Sequence, residues 1–376
     1  MKKHIIWILV CTLILGVAVQ AAPSRAAVTV GVSPSLIELS GKPNSTGNVD
    51  LNVLNQGDEP FDISVASDAY SRAPERSNAD WLTPSITTAH IDTGSQVVVP
   101  VAIAIPEDAD PGGHYATIKI TTGAPDGSGN SAGISGQLIV PFLITVEGKY
   151  KRKAEVTNFA GFLELDGRLG FRAEATNEGE IHWKPASLVT INKGDGSDYG
   201  TLEVDNSTVF PQSDVTLATT STLPVTTGDS YQAEIALDYG AKKPVKAKTE
   251  FTFTPDFTVN GSVCENLDRG PTMAAKIDNT GSLGLITNVS MVVKSADGTP
   301  IGQTGMIGPN PVWPKTTGTV GTDLPDRLAT GDYILTIQYQ TGAATDPVSI
   351  DLPFSIGGTG PNVAPICPQP EATPGA

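Results

Sequence analysis

Val49-Asp50-Leu51-Asn52-Val53-Leu54, followed by Asn55-Gln56-Gly57, is the first of three stretches in which an alternating apolar run ends in Asn-x-Gly. The second runs from Phe171 to Ala175 and closes with Asn177-Glu178-Gly179; the third runs from Met273 to Ile277 and closes with Asn279-Thr280-Gly281. A period of two buries one face of a strand. Asn and Gly both tolerate positive φ, so the recurring Asn-x-Gly is expected to turn the chain sharply at the same strand exit in each copy. Copies two and three also carry Gly228-Asp229-Ser230-Tyr231 and Gly331-Asp332-Tyr333, with 54 residues from Asn177 to Tyr231 and from Asn279 to Tyr333. In the first copy Gly112-Gly113-His114-Tyr115 brings a tyrosine 60 residues after Asn55.

Working outward, the remaining segments read as short strands. Val28 to Val32, Leu36 to Leu39, Phe61 to Val65, Val97 to Ile105, Tyr115 to Thr121 and Leu138 to Val146 are punctuated by Gly, Pro, Asp and Ser, with no helical period between them. Asp195-Gly196 and Asp297-Gly298 close hairpins at matching places in copies two and three. Tyr231 and Tyr333 suit the corner tyrosine of immunoglobulin-like sandwiches, whereas Tyr115 is out of phase with Ala116, Ile118 and Ile120. The expected fold is all-β: three tandem immunoglobulin-like antiparallel β-sandwiches after a signal peptide. Its boundaries are a signal peptide at 1–27, sandwiches at 28–147, 148–255 and 256–356, and a Pro/Gly-rich tail at 357–376 that lacks the apolar content to pack a core.

The signal-peptide reading rests on Lys2, Lys3, the apolar run Ile5 to Val19 and small residues before Val28. It implies a secreted or cell-envelope location, with cleavage after Ala21 or Ala27 and Cys11 removed. No second apolar run is long enough to span a membrane. Cys264 and Cys367 are then the two cysteines left in an oxidising compartment, where they are expected to pair and pin the tail. Closing a loop of ~100 residues contributes up to ~4.7 kcal/mol in the chain-entropy model.

With 40 acidic residues against 24 basic ones, the chain carries a formal charge of −16. Phosphate binding needs a basic face, so nucleic acid is excluded as a partner. His90, His114 and His182 show no zinc-ligand spacing, and no nucleophile elbow occurs. The acidic stretches Asp195 to Asp198 and Glu107, Asp108 and Asp110 read as a hairpin turn and a solvated loop. The expectation is a non-catalytic protein without cofactor or metal.

The first copy resembles the peptidoglycan-binding domain family of WxL-interacting bacterial cell-surface proteins. The features concerned are Val32-Ser33-Pro34, Leu51 to Asn55, Trp81-Leu82-Thr83-Pro84, the turn Thr93 to Ser95, Pro106 to Tyr115 and the exit Val146-Glu147-Gly148. The resemblance implies binding to the cell-wall polymer or to another cell-surface protein. The membrane anchor that ends members of that family has no counterpart in Glu371 to Ala376. A second reading is a secreted assembly chaperone of the pilus-chaperone type, donating a strand to a subunit; Val97 to Ile105 is the edge expected to do so.

Overall fold

The computed structural model describes residues 29–123, 136–204, 207–266, 270–324, 326–342, 346–357 and 360–367. The expected signal peptide and most of the Gly123–Gly136 loop lie outside the described residues. Among those described, no helix is long and apolar enough to cross a membrane. The chain divides into two compact units, Met1–Tyr150 and Lys151–Ala376.

Among its described residues the first unit holds nine strands: β1 (Val30–Ser33), β2 (Ile37–Gly41), β3 (Ser45–Asn55), β4 (Phe61–Asp68), β5 (Leu82–Pro84), β6 (Thr88–Ile91), β7 (Gln96–Ile105), β8 (Gly112–Gly123) and β9 (Gln137–Val146). They form two facing layers, ordered β1-β3-β7-β5 and β2-β9-β8-β4-β6. The chain changes layer between β1 and β2, and β2 then runs parallel to β9, pairing Ile37 with Phe142 through Gly41 with Val146. Alternation makes the core: Leu51, Val53, Val99, Val101 and Ile103 from one layer meet Ile63, Val65, Ile118, Ile120 and Phe142 from the other. Each such burial stabilises by roughly 1.5–3 kcal/mol.

The second unit begins with β10 (Ala154–Leu163), β11 (Leu169–Asn177), β12 (Ala186–Lys193), β13 (Asp198–Glu203), β14 (Asp214–Thr220), β15 (Ser230–Asp238) and β16 (Val245–Thr252). It continues with β17 (Phe257–Cys264), β18 (Thr272–Asn279), β19 (Gly284–Ser295), β20 (Pro300–Gln303), β21 (Ile307–Val312), β22 (Thr317–Asp323), β23 (Gly331–Thr341) and β24 (Val348–Ile356). Two separate cores form, one around Phe171, Val189, Ile235 and Leu237, the other around Met273, Val289, Leu335 and Ile337.

These two sandwiches are not independent beads. β10 and β19 pair in parallel through Phe162 with Gly284 and Leu163 with Leu285. One layer of each sandwich thereby joins the other in a single eight-stranded sheet, β14-β11-β10-β19-β23-β24, with β20 and β21 also on β19. Ala160, Phe162, Ile286 and Trp313 pack a small cluster at the junction. A Cβ on Gly284 would come within 2.5 Å of the Phe162 ring, and one on Gly342 within 1.7 Å of the Glu164 carbonyl oxygen. Arg172 completes the joint, bonding Glu164 at 2.6 Å while its guanidinium lies 4.8 Å from the Phe162 ring centre.

The threefold Asn-x-Gly is real in atomic detail, but by a different mechanism from the one expected. None of Asn55, Asn177, Asn279, Gly57, Gly179 or Gly281 has positive φ. Each asparagine is buried and acts as a hydrogen-bond hub. Its Oδ1 accepts the amide of the glycine two residues on, at 3.0, 2.9 and 3.1 Å. Its Nδ2 donates to the carbonyl four residues on, that of Glu59, Ile181 or Leu283, and to a distant one, that of Ile91, Val209 or Val312. This is an Asx turn whose amide group also ties the strand exit across the sandwich. Glycine is required in copy two because the backbone comes close: a Cβ on Gly179 would lie 2.9 Å from the Lys151 carbonyl oxygen. Positive φ occurs instead at the hairpin glycines, Gly196 and Gly298.

The tail departs from expectation as well. Ala364 is 6% exposed and belongs to the core of the last sandwich, so the stretch read as unable to pack does pack in part. The reason is covalent and local: Cys367 is bonded to Cys264, and the segment before it pairs with two strand ends.

Candidate interaction edge

The residues picked out in the sequence take up structural posts. Cys264 and Cys367 form the expected disulfide, with Cα atoms 4.9 Å apart. The Tyr333 hydroxyl donates to the Ala329 carbonyl at 2.7 Å, and the Tyr231 hydroxyl meets the Thr226 backbone. Both are corner tyrosines, buried in their cores. Burial also raises the Tyr231 phenol above its ordinary range. Tyr115, out of phase with Ala116, Ile118 and Ile120 on β8, is fully buried as they are. Tyr70 lies against it with ring centres 6.0 Å apart, and Ser77 bridges its backbone from the segment 70–81, which carries two short 3₁₀ turns.

His114, one residue before Tyr115 on β8, lies on the opposite, core-side face with Trp81. It stacks on Trp81 with ring centres 4.5 Å apart, and its ring nitrogens lie 2.8 Å from Asn78 Oδ1 and 2.8 Å from the Asp110 carbonyl oxygen. Burial holds its imidazole below the usual histidine range. The Pro111-Gly112 turn and the Glu147-Gly148 exit are one place in the fold, since Gly112 pairs with Val146 and a Cβ on Gly148 would strike the Pro111 ring. His90 is exposed on β6 and bonds Asp62 at 2.7 Å, which raises its imidazole above the usual range. His182 lies beside Phe210, ring centres 6.3 Å apart. Among the described residues no group of three or more His, Cys, Asp or Glu side chains is arranged to hold a metal ion.

The strand expected to be an open edge is open along part of its length, since its second side is covered at Val101 to Ile103 and not at Gln96 to Val99. Val97 to Ile105 lies within β7, paired along its length with β3 and again with β5 at Val101 to Ile103. Alternation in the sequence reports which face is buried; it does not report how many neighbours flank the strand.

A further part-covered edge is on β9. β8 pairs with β9 from Gln137 to Val146, but β2 covers only Phe142 to Val146 on the other side. Gln137-Leu138-Ile139-Val140-Pro141 therefore has a strand on one side only among the described residues. Val140 is buried, Leu138 packs against the core from a half-buried position, and Ile139 is 55% exposed. Proline at Pro141 suits an edge, where a missing amide breaks no ladder. Ile139 and Pro141 border a shallow cleft with Tyr70, Arg72 and Lys119. Lys119 reaches Asp68 at 3.3 Å, and the Asp68 carboxyl is held below its usual range by the Ala69 amide first and Lys119 second.

Two other edges are guarded. β16 carries Lys246 and Lys248, both paired with Glu234 on β15. The end of β24 is covered by the tail through Ser355 and Val363. Charge and cover are the devices that keep an edge from pairing. The open half of β9 has neither a charged residue nor a described strand upon it. Chemically, it offers backbone donors and acceptors to an added strand.

No protein-family model matches the chain, and no curated protein matches it. Among solved structures, the E. coli chaperone DraB is 14% identical, with 58% of this chain and 96% of that one covered, at a TM-score of 0.34. The class 5 fimbriae chaperone CfaA is 9% identical, with 58% and 98% covered, at 0.35. A complex of the Salmonella enterica SafA pilin with the SafB chaperone gives 11% identity, 60% and 97% covered, and 0.32. The fold of this chain is all-β and immunoglobulin-like.

Proposed function

We propose that this chain is a non-catalytic protein of the cell envelope that holds another surface protein by β-strand addition at Gln137–Pro141 of β9. The observation that carries the reading is the half-covered, uncharged, apolar edge where β2 ends and β9 continues. Main-chain hydrogen bonds to an extended segment would give affinity, and alternating side chains would give selectivity. The signal-peptide pattern of residues 1–27 supports the envelope location. The same reading replaces Val97 to Ile105 with β9 as the strand of the chaperone-type alternative.

Wall-polymer binding has less support. Sugar rings stack on exposed aromatic faces, yet Trp81 and Trp183 are buried and Trp313 packs edge-on against Phe162. The test is co-isolation of the mature chain from its native envelope, compared with Ile139→Lys. Because Ile139 is exposed, the variant keeps its fold, and a charge on the edge is expected to abolish co-isolation of the bound protein. Equal recovery with both chains would refute strand addition at this site.

A further inference from the structure

The last sandwich has two sheet edges on one side, β17 in its three-stranded layer and β24 in the eight-stranded sheet. Residues 360–367 lie across both. The Glu265 amide donates to the Pro365 carbonyl at 2.7 Å and the Cys367 amide to the Glu265 carbonyl at 2.8 Å, which pairs the segment with the end of β17. At the other edge the Ser355 amide donates to the Asn362 carbonyl at 2.9 Å and the Ala364 amide to the Ser355 carbonyl at 2.9 Å. Between these two bridges the Ala364 methyl enters the core that contains Val263 and Phe354. Ile366 faces outward at 61% exposure.

We propose that residues 360–367 are a redox-latched strap that closes the seam between β17 and β24, held shut by the Cys264–Cys367 disulfide. This device is independent of strand addition at β9. Four backbone hydrogen bonds and one buried methyl are the noncovalent hold on the strap. Against them stands the conformational entropy of ordering eight residues, which is the larger quantity. The disulfide removes most of that cost by keeping the end of the strap beside β17. Both cysteines are partly exposed, so a thiol reductant has access. A dithiol gives up two electrons and two protons, becomes a disulfide itself, and leaves Cys264 and Cys367 as thiols. The strap then leaves, and the edges at Glu265 and Ser355 lose their cover. The core strands remain, because β19 and β23 are paired along their lengths and buried without it.

The test is amide hydrogen exchange on the folded chain, oxidised and after dithiothreitol, together with Cys264→Ser/Cys367→Ser, which lacks the latch under all conditions. The expected result is loss of protection at Glu265, Ser355, Ala364 and Cys367, with β18, β19 and β23 still protected, in the reduced chain and the double variant alike. Retained protection at these four positions, two on the edges and two on the strap, in the double variant would overturn the latch. Loss spreading through β18, β19 and β23 would overturn it as well, by showing that the disulfide holds the whole sandwich rather than a strap.

Discussion

The Asn177 side chain accepts the Gly179 amide at 2.9 Å and donates to the Val209 carbonyl at 3.0 Å, so one buried carboxamide joins two parts of the chain that lie 32 residues apart. Asn55 and Asn279 do the same in the other sandwiches. The fold repeats a polar hub as well as an apolar pattern. Buried polar groups that are fully satisfied specify one arrangement of their surroundings, and an unsatisfied one is costly.

Asn177→Ala removes the partner of the Gly179 amide and of the Ile181 and Val209 carbonyls at a buried site. The expected loss is about 2–4 kcal/mol, from the cost of stranding buried polar groups. Urea unfolding of the second unit measures it. A change below about 0.5 kcal/mol, the size of an ordinary surface substitution, would show that the hub is dispensable.

The joint between the two sandwiches of the second unit is tested at Gly342. An alanine there would put its Cβ 1.7 Å from the Glu164 carbonyl oxygen, so the turn carrying Glu164 has to move. Overpacking of this kind costs about 1–3 kcal/mol. Gly47→Ala, whose Cβ would meet nothing within 4 Å, is the matched control and is expected to be neutral. Equal midpoints for the two variants in a denaturant titration would argue against a tightly packed joint.

The two histidines of the first unit are expected to titrate on opposite sides of the ordinary value of 6.5. His90 holds its proton more tightly in the folded state, chiefly through its bond to Asp62. Its contribution to stability is full below 6.5 and is lost as pH rises through its higher folded value. Burial gives His114 the opposite sign. Nothing is lost above 6.5, and stability falls as pH drops from 6.5 toward its lower folded value. NMR titration of the imidazole protons reads both midpoints, and a His114 midpoint at or above that of His90 would contradict the placement of the two rings.

Much of this was legible from residues. Asn55, Asn177 and Asn279 marked equivalent strand exits, Tyr231 and Tyr333 marked corners, and Asp195-Gly196 and Asp297-Gly298 marked hairpins. An Asx turn and a positive-φ turn share one composition, so Asn-x-Gly reads as backbone freedom where the asparagines work by side-chain bonding. The joint left no signal: two parallel pairs, Phe162 with Gly284 and Leu163 with Leu285, are too short to show a period. The tail was misread because its prolines and glycines are counted as solvated, whereas a disulfide and four backbone bonds suffice to place one alanine in a core. β7 and β9 alternate alike, and only pairing shows which part of each has a strand on one side alone.

Strand addition at β9 is tested most directly by photo-crosslinking in the native envelope, with a benzophenone side chain in place of Ile139 and, as control, in place of Leu188. Both positions are exposed, Ile139 beside the open edge and Leu188 on β12, which is flanked by β13 and β15. The predicted result is a crosslink from position 139 to a single extended segment of another protein, with none from position 188. Crosslinks of equal yield from both positions, or none from 139, would contradict it.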